Sequence, residues 1–290
     1  MGGGSDVAFL CLGAMGGPMA GHLARAGQRV AVWNRTRSRG EAWVAEHGGR
    51  AARSPADAAR GARFVFCCTG DDQALRALAL GPDGAFEGLA AGALFVDHTT
   101  ASPGLARELA RAGAARGIAV LDAPVSGGEE GARRGALTVM AGGDAADFAR
   151  AEPLLSAYAK SATLMGPHGA GQLTKLVNQI CIAGVVEGLA EGLHFARRAG
   201  LDVGRVIDVV SQGAAGSWQM TNRARSMAEG RFDFGFAVDW MRKDLGFALA
   251  EARGNGARLP LVALVDQLYA ELQALGRGRL DTSSLITLLD

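Results

Sequence analysis

The stretch Val7-Ala8-Phe9-Leu10-Cys11-Leu12-Gly13-Ala14-Met15-Gly16-Gly17-Pro18 decides the fold. A short apolar run ends in a glycine-rich turn, and an amphipathic pattern over 16–26 follows, which is the order strand, tight loop, helix. In such a loop one glycine lets backbone approach a pyrophosphate and a later one lets helix and strand pack closely; Gly13 and Gly16 hold those places. The first glycine of the usual fingerprint is replaced by Cys11. A Cβ there predicts a negative φ or a slightly wider turn, so the loop Leu12, Gly13, Ala14, Met15 and Gly16 is expected to be displaced, with its N–H groups still facing an anion at the helix N-terminus.

Outward from this point, short apolar runs alternate with amphipathic segments as far as residue 165. Strands are predicted at 7–12, 29–34, 64–68, 94–97, 119–122, 137–141 and 162–165. Helices fill the gaps, at 16–26, 39–46 and 102–116 among others, with Ser102 suited to an N-cap and Pro103 to the first helical position. That rhythm implies an α/β unit with a parallel sheet. Past Gly166-Pro167-His168-Gly169 the strand signals stop. A long helical pattern over 171–199 places Leu173, Leu176, Val177, Ile180 and Gly184 on one apolar face and closes at Gly200. Helices at 203–211, 221–229, 238–252 and 261–275 follow. The expectation is a Rossmann-type domain over 1–166, then an all-helical domain over 167–290, with a ligand bound where the two meet.

Three segments carry chemistry. About 20 residues past the glycines an NAD enzyme usually places an acid on the ribose hydroxyl. Here Asn34, Arg35 and Thr36 stand instead, offering donors to a 2′-phosphate and predicting NADP(H); an ordinary solvated basic loop is the alternative. On the long helix Gln172, Lys175, Asn178 and Gln179 form a polar stripe, since residues three and four apart are neighbours. A partly buried ammonium at Lys175 suits proton transfer in carbonyl reduction, with Asn178 and Gln179 orienting the substrate hydroxyl or the lysine. A solvated lysine on a bridging helix is the alternative. Asp122-Ala123-Pro124-Val125-Ser126-Gly127-Gly128 follows the strand at 119–122, and the Ser126 hydroxyl with the amides of Gly127 and Gly128 suits a carboxylate, unless the segment is only a connector.

Formal net charge is +1, so no broad field attracts nucleic acid or an anionic membrane. Apolar stretches are broken by charge or glycine before the about 20 residues of a spanning helix. Residues 1–6 lack the basic and apolar regions of a secretory signal, and Ser5 comes one position too early for myristoylation, so a cytoplasmic protein is expected. Cys11, Cys67, Cys68 and Cys181 have neither zinc-ligand nor CxxC spacing and are read as buried, reduced thiols; no metal site is expected.

With these residues in hand the chain resembles the β-hydroxyacid dehydrogenases from end to end. The opening motif resembles their GLGxMGxPM signature, departing only at Cys11. Residues 97–103 are similar to the segment touching the nicotinamide side of the cofactor, with Thr100 as the contact. Asp122 to Gly128 reproduces the substrate loop DAPVSGG, residues 169–179 resemble the catalytic helix GAGQxxKxxNQ, and Lys243-Asp244-Leu245 matches a late motif whose lysine approaches the cofactor. The resemblance implies NADP, with NAD possible, and Lys175 as the proton-transfer residue. It implies a small carboxylate-bearing 3-hydroxy acid or semialdehyde of the 3-hydroxyisobutyrate, tartronate semialdehyde or succinic semialdehyde type, with its variable carbon chain near Trp218 or Trp240. It also implies a homodimer or homotetramer formed through the helical domain. Imine reductases share the scaffold but replace this lysine with an acid or tyrosine, and a non-catalytic relative would have lost it.

Overall fold

The computed structural model describes residues 6–289, so residues 1–5, on which the leader and myristoylation readings rest, lie outside it. The chain divides into two units, Met1–Lys175 and Leu176–Asp290. In the first, the strands are β1 (Val7–Leu10), β2 (Val30–Trp33), β3 (Arg50–Ala51), β4 (Phe64–Cys67), β5 (Leu94–Asp97), β6 (Ala119–Asp122), β7 (Val125–Ser126), β8 (Leu137–Gly142) and β9 (Ala159–Gly166). Between them lie α1 (Gly16–Arg25), α2 (Arg37–His47), α3 (Pro55–Ala59), α4 (Asp72–Leu80), α5 (Ala85–Gly88), α6 (Pro103–Ala114), α7 (Gly128–Arg134) and α8 (Ala145–Leu155). Helix α9 (Ala170–Arg198) carries the chain into the second unit, which holds α10 (Val203–Val210), α11 (Trp218–Ala228), α12 (Val238–Asn255), α13 (Pro260–Ala274) and a 3₁₀ turn at Thr282–Leu288.

The sheet order is β3-β2-β1-β4-β5-β6-β8-β7, with β9 beside β8. From β3 to β6 every pairing is parallel. The sheet is mostly parallel, as expected, but β8 runs antiparallel to both β6 and β7. The connection from β7 to β8 holds only the short α7, too little chain for a parallel crossover. Successive side chains of β1 enter different cores: Val7 and Phe9 join one, Ala8 and Leu10 the other. Burial on both faces explains why these strands read as continuous apolar runs. Ser102 caps α6, accepting a hydrogen bond from Leu105 N at 3.1 Å, with Pro103 at the first helical position.

In the second unit Ala183, Val186, Ala190 and Leu193 of α9 pack with Met241, Leu245, Val265 and Tyr269. By length and composition alone α9 passes for a membrane-crossing helix, contrary to the reading of broken apolar stretches. Its buried side is that of a core helix. On its other side Leu173 and Val177 are 38% and 59% exposed, and one sequence expectation fails: Cys181 is exposed rather than a buried thiol. Cys11 and Cys68 are half-buried, leaving Cys67 as the buried one among the four.

Candidate active site

Parallel strands send their following loops to one edge of the sheet, so the segments after β1, β2, β5 and β6 gather there. After β1, Cys11 takes φ = 72°, contrary to the negative φ predicted for it. The turn stays tight because Cys11 N–H donates to Trp33 O at 2.8 Å. Its carbonyl then points at the start of α1: a Cβ on Gly16 would lie 2.0 Å from Cys11 O, so no other residue fits there. Burial pushes the Cys11 thiol up to about 11, so it stays protonated near neutrality.

The amide of Asn34 is used inside the protein. Its Oδ1 accepts from Leu12 N–H at 2.9 Å and its Nδ2 donates to Thr36 O at 3.0 Å, so Asn34 braces the phosphate loop and the Leu12 N–H is engaged rather than facing a ligand. Arg35 and Thr36 are exposed at the carboxyl end of β2. Gly13 has open space where a Cβ would stand. An open glycine turn entering a helix fits the phosphates of a dinucleotide.

After β5 comes a buried run. Asp97 Oδ1 accepts from Thr99 N at 2.9 Å and from Cys67 Sγ at 3.3 Å, and burial pushes its carboxyl up to about 7. His98 places Nδ1 2.6 Å from Ala123 O and Nε2 2.8 Å from Tyr158 Oη. A carbonyl only accepts, so Nδ1 carries the proton and Nε2 accepts from the tyrosine. Burial holds His98 down at about 4, which keeps the ring neutral. Thr100 lies next in this run, half-buried. After β6, Ser126 closes β7 and Gly127 and Gly128, both with positive φ, lead into α7.

Lys175 stands in the second turn of α9 and is only 8% exposed, so the solvated-lysine alternative fails. Gln172, one turn earlier, is fully buried: its Nε2 donates to Thr99 O at 2.7 Å and its Oε1 accepts from Ala101 N at 3.0 Å. The polar stripe is thus a buried side of α9.

In the second unit Asn178 Nδ2 donates to Gln179 Oε1 at 2.8 Å, and Gln179 Nε2 donates to Asp244 Oδ2 at 2.7 Å. Asp244 also pairs with Lys243 Nζ at 3.1 Å, and that ammonium lies 5.4 Å from the Phe247 ring centroid. Gln179, Asp244 and Lys243 therefore form one group. Trp218 belongs to another: it is half-exposed beneath the Arg223 guanidinium, at 5.0 Å, and Arg223 pairs with buried Asp281 at 3.3 Å.

The bonding roles of Asp122, His98 and Gln172 in the first unit, and of Asp244 in the second, are ones that the sequence reading did not single out. A carboxylate inside the DAPVSGG loop and one beside Lys243 were visible signals; for His98 nothing in the local pattern marks its partners.

The fold and these segments define a nicotinamide-dependent oxidoreductase. Residues 6–166 match the family model for the NAD binding domain of 6-phosphogluconate dehydrogenase, and residues 169–289 the one for the NAD-binding domain of NADP-dependent 3-hydroxyisobutyrate dehydrogenase. An oxidoreductase of Shewanella frigidimarina is 59% identical over 99% of this chain and 98% of its own. A 3-hydroxyisobutyrate dehydrogenase of Pseudomonas aeruginosa is 38% identical over 92% of this chain and 91% of its own. The 3-hydroxyisobutyrate dehydrogenase of Mycobacterium tuberculosis, solved with L-serine, superposes with a TM-score of 0.87 at 31% identity, covering 98% of this chain and 99% of its own. The chain belongs to the β-hydroxyacid dehydrogenase family, NAD(P)-dependent enzymes acting on the CH–OH group of small hydroxy acids.

Proposed function

We propose that this enzyme interconverts a small 3-hydroxy acid and its semialdehyde with a preference for NADP(H), using Lys175 for proton transfer. The observation that carries the reading is the burial of Lys175 one helical turn beyond a glutamine bound to both sides of Thr100. The nicotinamide supplies or accepts the hydride. In reduction the Lys175 ammonium donates a proton to the carbonyl oxygen, and in oxidation its neutral amine takes the proton of the hydroxyl. Asn178, the next turn along α9, orients that oxygen, and Gln179, committed to Asn178 and Asp244, holds Asn178 in place. Ser126 Oγ and the amides of Gly127 and Gly128 hold the carboxylate, and Trp218 meets the substrate's carbon chain.

For the cofactor, Gly13, Ala14, Met15 and Gly16 receive the pyrophosphate, Arg35 with Thr36 receives the 2′-phosphate, and Thr100 and Lys243 approach the nicotinamide. Leu12 and Asn34 act by shaping the loop. Residues 1–166 form the cofactor domain and 167–290 the substrate and association domain. The description of the second family model as NADP-dependent and the exposed Arg35 in place of an acid support the cofactor preference. Exposed Val177, Val185 and Phe195 on α9 support a homodimer or homotetramer built on that helix.

Initial rates with NADPH and NADH on methylmalonate semialdehyde, tartronate semialdehyde, succinic semialdehyde and glyoxylate, and with NADP⁺ on 3-hydroxyisobutyrate and L-serine, test the reading. Turnover of one compound with NADPH preferred is expected, and Arg35→Glu should reduce that preference by about tenfold or more, the effect of losing a charge-assisted contact of roughly 1.5–3 kcal/mol. An unchanged preference in Arg35→Glu would refute the 2′-phosphate assignment.

A further inference from the structure

We infer that Asp122 and Gln172 are positioning residues for the reaction, holding the first turn of α9 so that Lys175 keeps a set place against the segment Thr99 to Ala101. This rests on the proposed role of Lys175. The start of α9 is held from two sides. Asp122, at the end of β6, spans its first turn: Oδ1 accepts from Gly169 N at 2.8 Å and Oδ2 from Gln172 N at 3.0 Å. The fit leaves no slack, because a Cβ on Gly171 would lie 2.4 Å from Met140 O and 2.6 Å from Asp122 O. From the other side the Gln172 amide uses its donor on Thr99 O and its acceptor on Ala101 N, so the backbone on both sides of Thr100 is bonded to the residue one turn before Lys175.

Helix stability alone does not ask for this arrangement. The orphan N–H groups of a helix start are ordinarily satisfied by an adjacent Ser, Thr, Asn or Asp at the surface. Here the cap is a buried carboxylate brought from 47 to 50 residues away, a costlier solution because burial disfavours the charge. Burial does push Asp122 up to about 6. Likewise the buried Gln172 amide ties α9 to another segment and satisfies none of its own helix's backbone. What both contacts specify is the place of α9 relative to the loops after β5 and β6, and Lys175 inherits it.

A double-mutant cycle tests this in the full-length enzyme, with NADP⁺ and 3-hydroxyisobutyrate or L-serine as probes. Gln172→Leu should lower kcat about tenfold or more while leaving KM and the NADPH dissociation constant within about twofold, and should have no further effect in a Lys175→Ala background. Equal losses in both backgrounds would overturn the positioning role. Loss in Lys175→Ala alone, with Gln172→Leu unchanged, would overturn it while sparing Lys175; retained turnover in Lys175→Ala would instead sink the underlying reading. A second readout needs no turnover. The chain has three lysines, 160, 175 and 243. Mapped by mass spectrometry in the cofactor-free protein, the pH dependence of amine modification should shift at Lys175 and not at exposed Lys160 in Gln172→Leu, and an unchanged Lys175 profile would overturn the inference. Should Gln172→Leu not fold, Gln172→Met, uncharged and close in shape, loses the bonds to Thr99 O and Ala101 N and should give a shift of the same kind, an unchanged Lys175 profile again overturning the inference.

Discussion

Cys11 holds a conformation that costs a residue with a Cβ about 1–2 kcal/mol, and the surrounding contacts sustain it. Its N–H is bonded across to β2, and its carbonyl occupies the space that Gly16 leaves empty. A sequence pattern registers that a glycine is missing; it does not weigh a penalty of that size against the packing of a whole loop. Asp97 allows a prediction at the same scale. Its ordinary value is 3.8 and its folded value about 7, so the folded protein binds the extra proton. The associated stability is complete below the unfolded value and is lost as pH rises through about 7, opposite in sign to an ion-paired carboxylate. Asp122, raised to about 6, acts in the same direction. Between about pH 5 and pH 8 the unfolding free energy of Asp97→Asn, read from thermal melts at each pH, should therefore fall less than that of the natural protein, by on the order of a few kcal/mol at about 1.4 kcal/mol per unit. Parallel melting profiles would contradict this. The close approach at Gly16 was legible because residue type and spacing state it. The roles of His98 and Gln172 were not, because their partners, backbone atoms and the Tyr158 hydroxyl, lie between 25 and 73 residues away.

Helix α9 shows what periodicity conveys and what it leaves open. The pattern correctly implies two stripes, one apolar and one polar. The side containing Gln172, Lys175 and Gln179 is buried, at 0%, 8% and 1% exposure, and the amides of Gln172 and Gln179 find their partners there. Of the positions read as one apolar face, Leu176 is buried while Leu173 and Val177 are left to solvent, and Val185 and Phe195 further along are exposed as well, the last at 70%. Large apolar side chains gathered on one side of a helix mark an association surface more often than a solvated one. Light scattering at micromolar concentration should give a dimer or larger species, shifted toward monomer by Phe195→Asp; a monomeric natural protein would contradict the association reading. Among strands, the long parallel ones were legible from their apolar runs. Two-residue β3 and β7 were not, since such short segments exist only by pairing with a neighbour.

For the whole molecule, the alternation of strand and helix up to residue 165 and its absence beyond sufficed to read an α/β unit followed by a helical one, because each element type buries its apolar surface in a distinct way. The antiparallel turn at β8 escaped that reading: direction depends on the length and path of a connection, which hydropathy does not record. Within the first unit the phosphate loop, the segment after β5, the DAPVSGG loop and Lys175 all belong to one folded body, so the residues proposed to meet the nicotinamide and to move the proton, Lys243 apart, share a single scaffold. The measurement that tests this account most directly is single-turnover rate together with NADPH fluorescence titration in Lys175→Ala. The account predicts a fall in rate on the order of 10²-fold or more with cofactor affinity unchanged; retained turnover with intact cofactor binding would contradict it.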